Sequence, residues 1–355
     1  MSSFDVVPEQ LEAKRLLSAA LAEGPAHAYL LHGPAGVGKR QLALLFAAEL
    51  LGDHARVERR SHPDLYVLEP VGDQIRIDDV RALRRDLHMR PFEASRRVYL
   101  VFAADTMNED AADALLKDLE EPPSYAVIVL VAVDLGPLPE TIRSRCQFVP
   151  FRRLSENAVR AAIVARAPEL SETEVTTLAR VAAGRLDRAA RLLDPAAVRR
   201  REALIGVARS VYLEPDLDTA EATQALLAGI AERGEEAKAK AEEEVAVLEL
   251  SGREAEQRVR RAQRGAERDE LLAVLEELEW WYRDLVVCAV GAEAAVVHVD
   301  RLDELRADAT RDRLGGAETA CALVRAAWRE AEELQVSAPL ALEALLIGLR
   351  RELAG

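Results

Sequence analysis

The first 150 residues alternate between short, nearly continuous apolar runs and longer amphipathic stretches. Five runs are rich in β-branched or aromatic residues and are bounded by charges, Pro or Gly: AHAYLLHG, DLYVLEP, RRVYLVFAAD, YAVIVLVAVD and RCQFVPF. Such runs are typical of strands buried on both faces. The amphipathic stretches predict helices over Arg40–Leu51, Asp78–Met89 and Asn108–Glu120. Because helices separate the strands, the pattern predicts a parallel sheet covered by helices on both faces.

After Phe151 the strand pattern stops and only helical patterns follow. Short helices are predicted over Ser155–Arg166, Ser171–Ala183 and Arg188–Leu193, and long helices from about Glu202 onward. The sequence therefore predicts an α/β part followed by an all-α part.

Residues 232–268, within the all-α part, are dense in Glu, Ala, Lys and Arg. One interpretation is a coiled coil or an arm that binds a partner. The other, which we favour, is a solvated helix extended by an insertion, because the apolar positions do not keep a heptad spacing.

The composition narrows the class of protein. A chain of 355 residues with 50% hydrophobic residues can bury a core in two or three domains. Its formal net charge of −15 argues against a protein that grips duplex DNA by itself, so DNA contact would come from a local patch or through partners.

The three cysteines, Cys146, Cys288 and Cys321, are far apart and favour a reducing compartment without disulfides. The first residues, MSSFDVVPEQ, show no apolar signal core, and no run of about 18 apolar residues is present. We expect a cytoplasmic protein without a membrane partner.

The clearest candidate site is a phosphate-binding loop after the first strand. Gly33, Gly36, Gly38 and Lys39 fit the pattern G-x-x-x-x-G-K-[ST], but Arg40 stands where Ser or Thr should hold magnesium. The glycines let backbone N–H groups point at phosphates, the lysine would reach the β- and γ-phosphates, and the following helix adds its dipole. The sequence predicts a degenerate P-loop.

Hydrolysis of ATP needs further groups that are missing here. Arg40 has only donors and cannot bind a metal ion. The third and fourth predicted strands, RRVYLVFAAD and YAVIVLVAVD, are followed by apolar residues instead of an acid and a polar sensor: Phe102 with Ala103, and Ala132 with Val133. Asp105 lies beyond its strand and is a poor substitute for a metal ligand. We therefore expect no metal site and no turnover of ATP by this chain.

Further motifs resemble one family. A helix ending in LEEPP, then a strand, then TIRSRCQ is similar to the AAA+ clamp-loader subunits of bacterial DNA polymerase III. The stretches RIDDVRALRRDLHMRPFEASRRVYLV, HPDLYVLEP and GVGKR resemble the delta-prime branch of that family in particular. The resemblance covers residues 1 to about 205, whereas the tail is similar in length, in helical character and in WWYRDLV.

The resemblance implies a three-part chain. A RecA-like AAA+ P-loop domain with a parallel sheet would span residues 1–152, a small helical lid domain 153–205, and a helical collar domain 206–355, with the charged insertion at 232–268.

The resemblance also implies a role. Delta-prime-type subunits act as stators in a ring with gamma/tau and delta subunits, and the ring loads the sliding clamp on primed DNA. Arg145, in Ser144–Arg145–Cys146, would serve as an arginine finger for a neighbour's ATP site. Arg188 would lie at or next to the second sensor arginine. The alternative for Arg145 is a local salt bridge. On this view the chain is not catalytic alone, and it contacts the clamp and the primer-template DNA mainly through the complex.

Other functions and ligands stay open at this point. Lys39 and the glycines would also suit an active gamma/tau-like ATPase motor, and a helical scaffold is a third hypothesis. No cofactor is required, and weak binding of ATP, ADP or phosphate without hydrolysis is left open. Relatives often carry a four-cysteine zinc module, but His54 and His62 alone cannot complete a tetrahedral site, so we predict no zinc.

Overall fold

The computed structural model describes residues 3–70, 74–246, 252–333 and 337–354. The chain divides into two compact units: Met1–Arg166 with Gly184–Arg188, and Ala167–Ala183 with Ala189–Gly355. The three-part division into AAA+, lid and collar domains stays a prediction.

The first unit is built on a five-stranded parallel sheet. Its strands are β1 (Ala28–His32), β2 (Leu65–Leu68), β3 (Arg97–Val101), β4 (Ala126–Ala132) and β5 (Gln147–Pro150). Their order across the sheet is β2-β3-β4-β1-β5, and every neighbouring pair is parallel. The sheet predicted from the apolar runs is confirmed.

Helices cover both faces of this sheet. The helices of this unit are α1 (Leu11–Glu23), α2 (Lys39–Leu51), α3 (His54–Glu58), α4 (Ile77–Leu87), α5 (Glu109–Glu120), α6 (Glu140–Arg143) and α7 (Glu156–Arg166), with 3₁₀ turns at Ser3–Val6 and Ala104–Thr106. Tyr29 of β1 packs with Phe46 of α2 on one face. The neighbouring Leu30 packs in the other core, with Leu83 of α4 and Leu115 of α5. Successive residues of a strand point to opposite faces, so a buried two-sided strand is apolar throughout.

The described part of the second unit contains helices and no strand. The helices are α8 (Glu172–Val181), α10 (Pro195–Leu213), α11 (Thr219–Ala246), α12 (Gly252–Ala289), α13 (Leu302–Asp308), α14 (Leu314–Glu333) and α15 (Ala338–Leu353), with 3₁₀ turns at Glu293–Ala295 and Val299–Arg301. Helix α9 (Leu186–Leu192) begins in the first unit, and its residues from Ala189 onward belong to the second. Trp281 and Tyr282 of α12 are fully buried in its core beside Leu346 of α15. The predicted all-α character is confirmed.

The charged segment 232–268 extends α11 and α12, which pack against each other. Gly234 of α11 lies directly against Glu267 of α12, and Gln263 Nε2 donates to Glu235 Oε1 at 3.0 Å. Residues 247–251 of this segment lie outside the described residues. Paired helices agree with both interpretations of the segment, whose role stays open. Across the described ranges no helix combines the length and the apolar character that a membrane span requires.

Candidate functional site

The glycine-rich loop lies between β1 and α2, at the carboxyl end of a central strand. Gly33, Gly36 and Gly38 have φ values of +136°, +68° and +95°, a region that favours glycine. A Cβ on Gly33 would lie 2.3 Å from the carbonyl oxygen of Phe151, and a Cβ on Gly38 would lie 2.7 Å from Cγ1 of Val7. Both the backbone angles and the packing around the loop therefore require glycine.

Gly33→Ala is expected to destabilise the first unit by about 3 kcal/mol or more, since a strained φ adds to a clash with backbone. Gly52→Ala provides the control, because Gly52 also has a positive φ (+72°) but its Cβ would meet no atom within 4 Å. That change should cost only about 1 kcal/mol. Denaturant unfolding followed by circular dichroism measures both. Equal losses in the two variants would contradict the packing argument.

The P-loop lysine is held by the loop itself. Lys39 is only 6% exposed, and its Nζ donates to the carbonyl oxygens of Gly33 and Pro34, both at 2.5 Å. Burial lowers the pKa of Lys39 to about 8, although Asp105 and Asp187 oppose the change. The ammonium group is therefore satisfied in the absence of a phosphate.

Arg40 and Phe102, two residues that depart from the pattern of an active P-loop ATPase, contact each other. Arg40 forms an ion pair with Glu69, directly after β2, and its guanidinium carbon lies 4.4 Å from the ring centroid of Phe102, directly after β3. Arg60 pairs with the same Glu69 at 2.9 Å. A cation over an aromatic ring thus stands where a hydroxyl and a carboxylate would hold magnesium.

Asp105 is engaged in the backbone. Its Oδ2 accepts hydrogen bonds from the N–H groups of Val133 at 2.8 Å and Asp134 at 2.9 Å, which fixes the turn after β4. The last residue of β4 is the buried Ala132, and the next, Val133, is 51% exposed. Neither residue presents a polar side chain toward a γ-phosphate.

The segment 184–188 contacts the tip of the loop. The Leu186 N–H donates to the carbonyl oxygen of Gly36 at 2.8 Å, and a Cβ on Gly36 would lie 1.7 Å from Asp187 Oδ1. Arg188, the predicted sensor-like residue, is 7% exposed, and its backbone N–H donates to Asp187 Oδ1 at 2.9 Å. Asp187 is therefore the side chain that touches the P-loop here, and sequence reasoning did not single it out. Its position immediately before Arg188 was the available signal.

Arg145 lies far from this loop, in the turn between α6 and β5. Its Nη2 pairs with Glu120 Oε1 at 2.5 Å and its Nη1 donates to the carbonyl oxygen of Thr141 at 2.9 Å, while the side chain stays 33% exposed. The local salt bridge considered for this residue is present. Burial raises the pKa of the adjacent Cys146 thiol to about 12, which keeps it protonated.

The sheet register separates Arg145 from the loop of its own chain. Tyr29 pairs with Gln147, so Arg145 precedes the amino end of β5, whereas Gly33 follows the carboxyl end of β1. The four residue steps from Tyr29 to Gly33 alone span roughly 13 Å at the usual strand rise. Arg145 therefore cannot serve the P-loop of its own chain.

The histidines considered for zinc lie apart. His54 Nε2 lies 3.3 Å from Glu49 Oε1, whereas the buried His62 accepts a hydrogen bond from the backbone N–H of Asp64 through its Nδ1. The described ranges hold no group of three or more His, Cys, Asp or Glu side chains suited to a metal. The absence of zinc stays a prediction.

Comparison with known proteins gives a consistent result for the first part of the chain. Residues 9–155 match the family model described as DNA polymerase III, delta subunit. The chain is 35% identical over 145 residues to DNA polymerase III subunit delta' of Bacillus subtilis, a match that covers 38% of this chain and 44% of that protein. It is 41% identical over 136 residues to the subunit of the same name in Pseudomonas aeruginosa, covering 34% and 42%.

A longer match extends to DNA polymerase III subunit tau of Bacillus subtilis, with 29% identity over 209 residues, 54% of this chain and 37% of that protein. The chain thus spans less than half the length of each of these relatives. The resemblance to clamp-loader subunits, and to their delta-prime branch, is confirmed.

Proposed function

We propose that this clamp-loader-type chain is a delta-prime-type stator: it hydrolyses no ATP itself and supplies Arg145 to the ATP site of a neighbouring subunit. One observation carries the proposal. The chain's own P-loop lacks the groups for hydrolysis, while Arg145 lies partly exposed at the opposite end of the sheet from that loop. An arginine in that place can complete only a site on another subunit.

The first part of the proposal concerns the chain's own pocket. The contact of Arg40 with Phe102 leaves no oxygen ligands for magnesium at those positions, and Asp105 is used by the backbone of the turn after β4. Without magnesium the charge that develops on the γ-phosphate is not neutralised. This supports a subunit that needs no cofactor and no metal.

The second part concerns the availability of Arg145. Its ion pair with Glu120 is at the surface, where the Glu120 side chain is 49% exposed. Exposed pairs of this kind contribute about 0–1 kcal/mol, so transfer of the guanidinium to a partner's phosphate is inexpensive. Arginine suits this role, because its planar donors match phosphate oxygens.

The proposed partners are gamma/tau and delta subunits, with the helices after residue 206 as the collar that joins them. The sliding clamp and primer-template DNA would be contacted mainly through the complex, in agreement with the net charge of −15. A cytoplasmic location is part of the same proposal. Mixing the chain with its gamma/tau and delta partners should give a five-membered complex with one copy of it, and light scattering after size exclusion measures that mass.

The second candidate is an active ATPase motor, which the retained Lys39 and glycines favour. We expect the isolated chain to release no phosphate from Mg-ATP above background, and Lys39→Ala to change nothing, since the metal ligands are replaced. Phosphate release measured with and without EDTA tests this. Hydrolysis that requires magnesium and disappears in the Lys39→Ala variant would favour the motor.

A further inference from the structure

The geometry points to Asp187 as the residue that closes the P-loop to phosphate-bearing ligands, above all nucleoside triphosphates. This goes beyond the proposed function, which concerns hydrolysis and leaves nucleotide binding open. The inference does not depend on a clamp-loader role, because it concerns one pocket of the isolated chain.

The contact at the loop tip is the first support. Asp187 Oδ1 lies so close to Gly36 that even a methyl group there would overlap it, at 1.7 Å. The Leu186 N–H bonds to the Gly36 carbonyl at 2.8 Å, and the Leu154 N–H bonds to the Gly184 carbonyl at 3.1 Å. One backbone hydrogen bond therefore holds the segment to the loop, and the other, on the far side of Arg185, holds it to the chain just after β5.

The charge of Asp187 is fixed in place. Arg185 donates to both carboxylate oxygens, from Nε to Oδ1 at 3.1 Å and from Nη2 to Oδ2 at 2.7 Å. Burial alone would raise the pKa of Asp187, but the hydrogen bond and charge of Arg185 outweigh it and lower the pKa. The carboxylate is therefore ionised at neutral pH.

An ionised carboxylate at this position opposes the ligand that a P-loop normally takes. The loop attracts phosphate through backbone N–H groups, the helix dipole and the lysine. Here Lys39 already donates to two carbonyl oxygens of the loop. Asp187 places a carboxylate at the tip and holds the nearby cation of Arg185 in an ion pair. Because the Asp187 side chain is 46% exposed, its repulsion is partly screened, and we expect an effect of about tenfold rather than several orders of magnitude.

The test is ATP binding by isothermal titration calorimetry without magnesium. We expect the wild-type chain to bind ATP more weakly than about 1 mM and Asp187→Asn to bind at least about tenfold more tightly. Asp187→Glu, which keeps the charge, should show no gain. Lys39→Ala added to Asp187→Asn should remove the gain. Glu23→Gln is the charge-matched control at the end of α1, beside the amino end of β1 and away from the loop.

Each outcome decides the inference. Unchanged affinity in a folded Asp187→Asn variant, or an equal gain in Glu23→Gln, would overturn it. If Asp187→Asn does not fold, Asp187→Ala replaces it, and the wild-type measurement stands by itself: ATP binding tighter than about 1 mM would show that the loop is open. None of these results depends on whether Arg145 acts on a neighbour.

Discussion

Arg145→Ala should lower hydrolysis at the neighbouring subunit's ATP site on the order of 10³-fold within the assembled complex. The removed guanidinium would otherwise neutralise charge that develops on the γ-phosphate. Single-turnover phosphate release by the complex measures the effect. The kinetic phase that comes from the ATP site completed by Arg145 should disappear. ATP-dependent clamp loading should fall with it.

Two variants separate this role from a structural one. Arg81→Ala removes an exposed arginine that pairs with Asp78 at 3.0 Å, a surface pair of the same kind, and should leave phosphate release unchanged. Glu120→Gln breaks the resting pair of Arg145 and should change the rate less than about threefold, since exposed pairs contribute little. An Arg145→Ala complex that assembles and keeps every phase of release would refute the finger assignment, while leaving the stator's assembly role in place.

His298→Leu should destabilise the second unit by about 3–5 kcal/mol, because it removes a buried hydrogen-bond partner that two buried carboxylates share. His298 is fully buried, with Nδ1 2.8 Å from Asp284 Oδ2 and Nε2 3.1 Å from Glu277 Oε1. Its ring packs edge-on against Trp281. All three tryptophans of the chain, at positions 280, 281 and 328, belong to this unit, so urea unfolding followed by tryptophan fluorescence reports its stability.

The same histidine makes the stability depend on pH in a defined direction. Burial alone would lower the pKa of His298, but the hydrogen bonds to Asp284 and Glu277 outweigh it and raise the pKa above its ordinary value of 6.5. The folded state then binds the proton more tightly than the unfolded state. The contribution of His298 to the stability of the second unit is therefore complete below about pH 6.5. It is lost as the pH rises through the raised pKa of His298 in the folded state. In His298→Leu this loss should be absent.

His54→Leu provides the control for both measurements, since His54 lies in the first unit and is half exposed. It should leave the tryptophan-detected unfolding and its pH profile unchanged. A His298→Leu variant within about 1 kcal/mol of wild type would mean that the remaining cations suffice: Arg201, which pairs with Glu277 at 2.5 Å, and Arg283, which pairs with Asp284 at 2.8 Å.

Much of the fold was predictable, because the signals are local. A strand buried on both faces must be apolar at every position, and β4, with all seven residues buried, is the clearest case. Helix α5 begins after Asn108, whose side chain caps the Ala111 N–H, and it ends just before the prolines at 122 and 123. Capping and periodicity act within a few residues, so they can be read along the chain.

The candidate site was predictable in part. The glycine loop and the missing magnesium ligands follow from residue types at fixed spacing after strands. The partner of each charged side chain does not, because Arg40 meets Phe102, and Arg145 meets Glu120, only after distant segments pack together. The emphasis on Arg188 over Asp187 has the same origin, since neighbours on a helix face different directions.

The sequence alone determined the succession of strands and helices along the chain, the loop conformation that requires glycine, and the loss of groups that bind magnesium. Each of these depends on residue type and local spacing. Only the tertiary structure decided that Asp187 touches the loop and that Arg40 forms a cation–π contact with Phe102. It also decided that His298 lies between Asp284 and Glu277. Such pairings depend on long-range packing, because the energy of a charge is set by the groups that surround it in space and not by its neighbours in the chain.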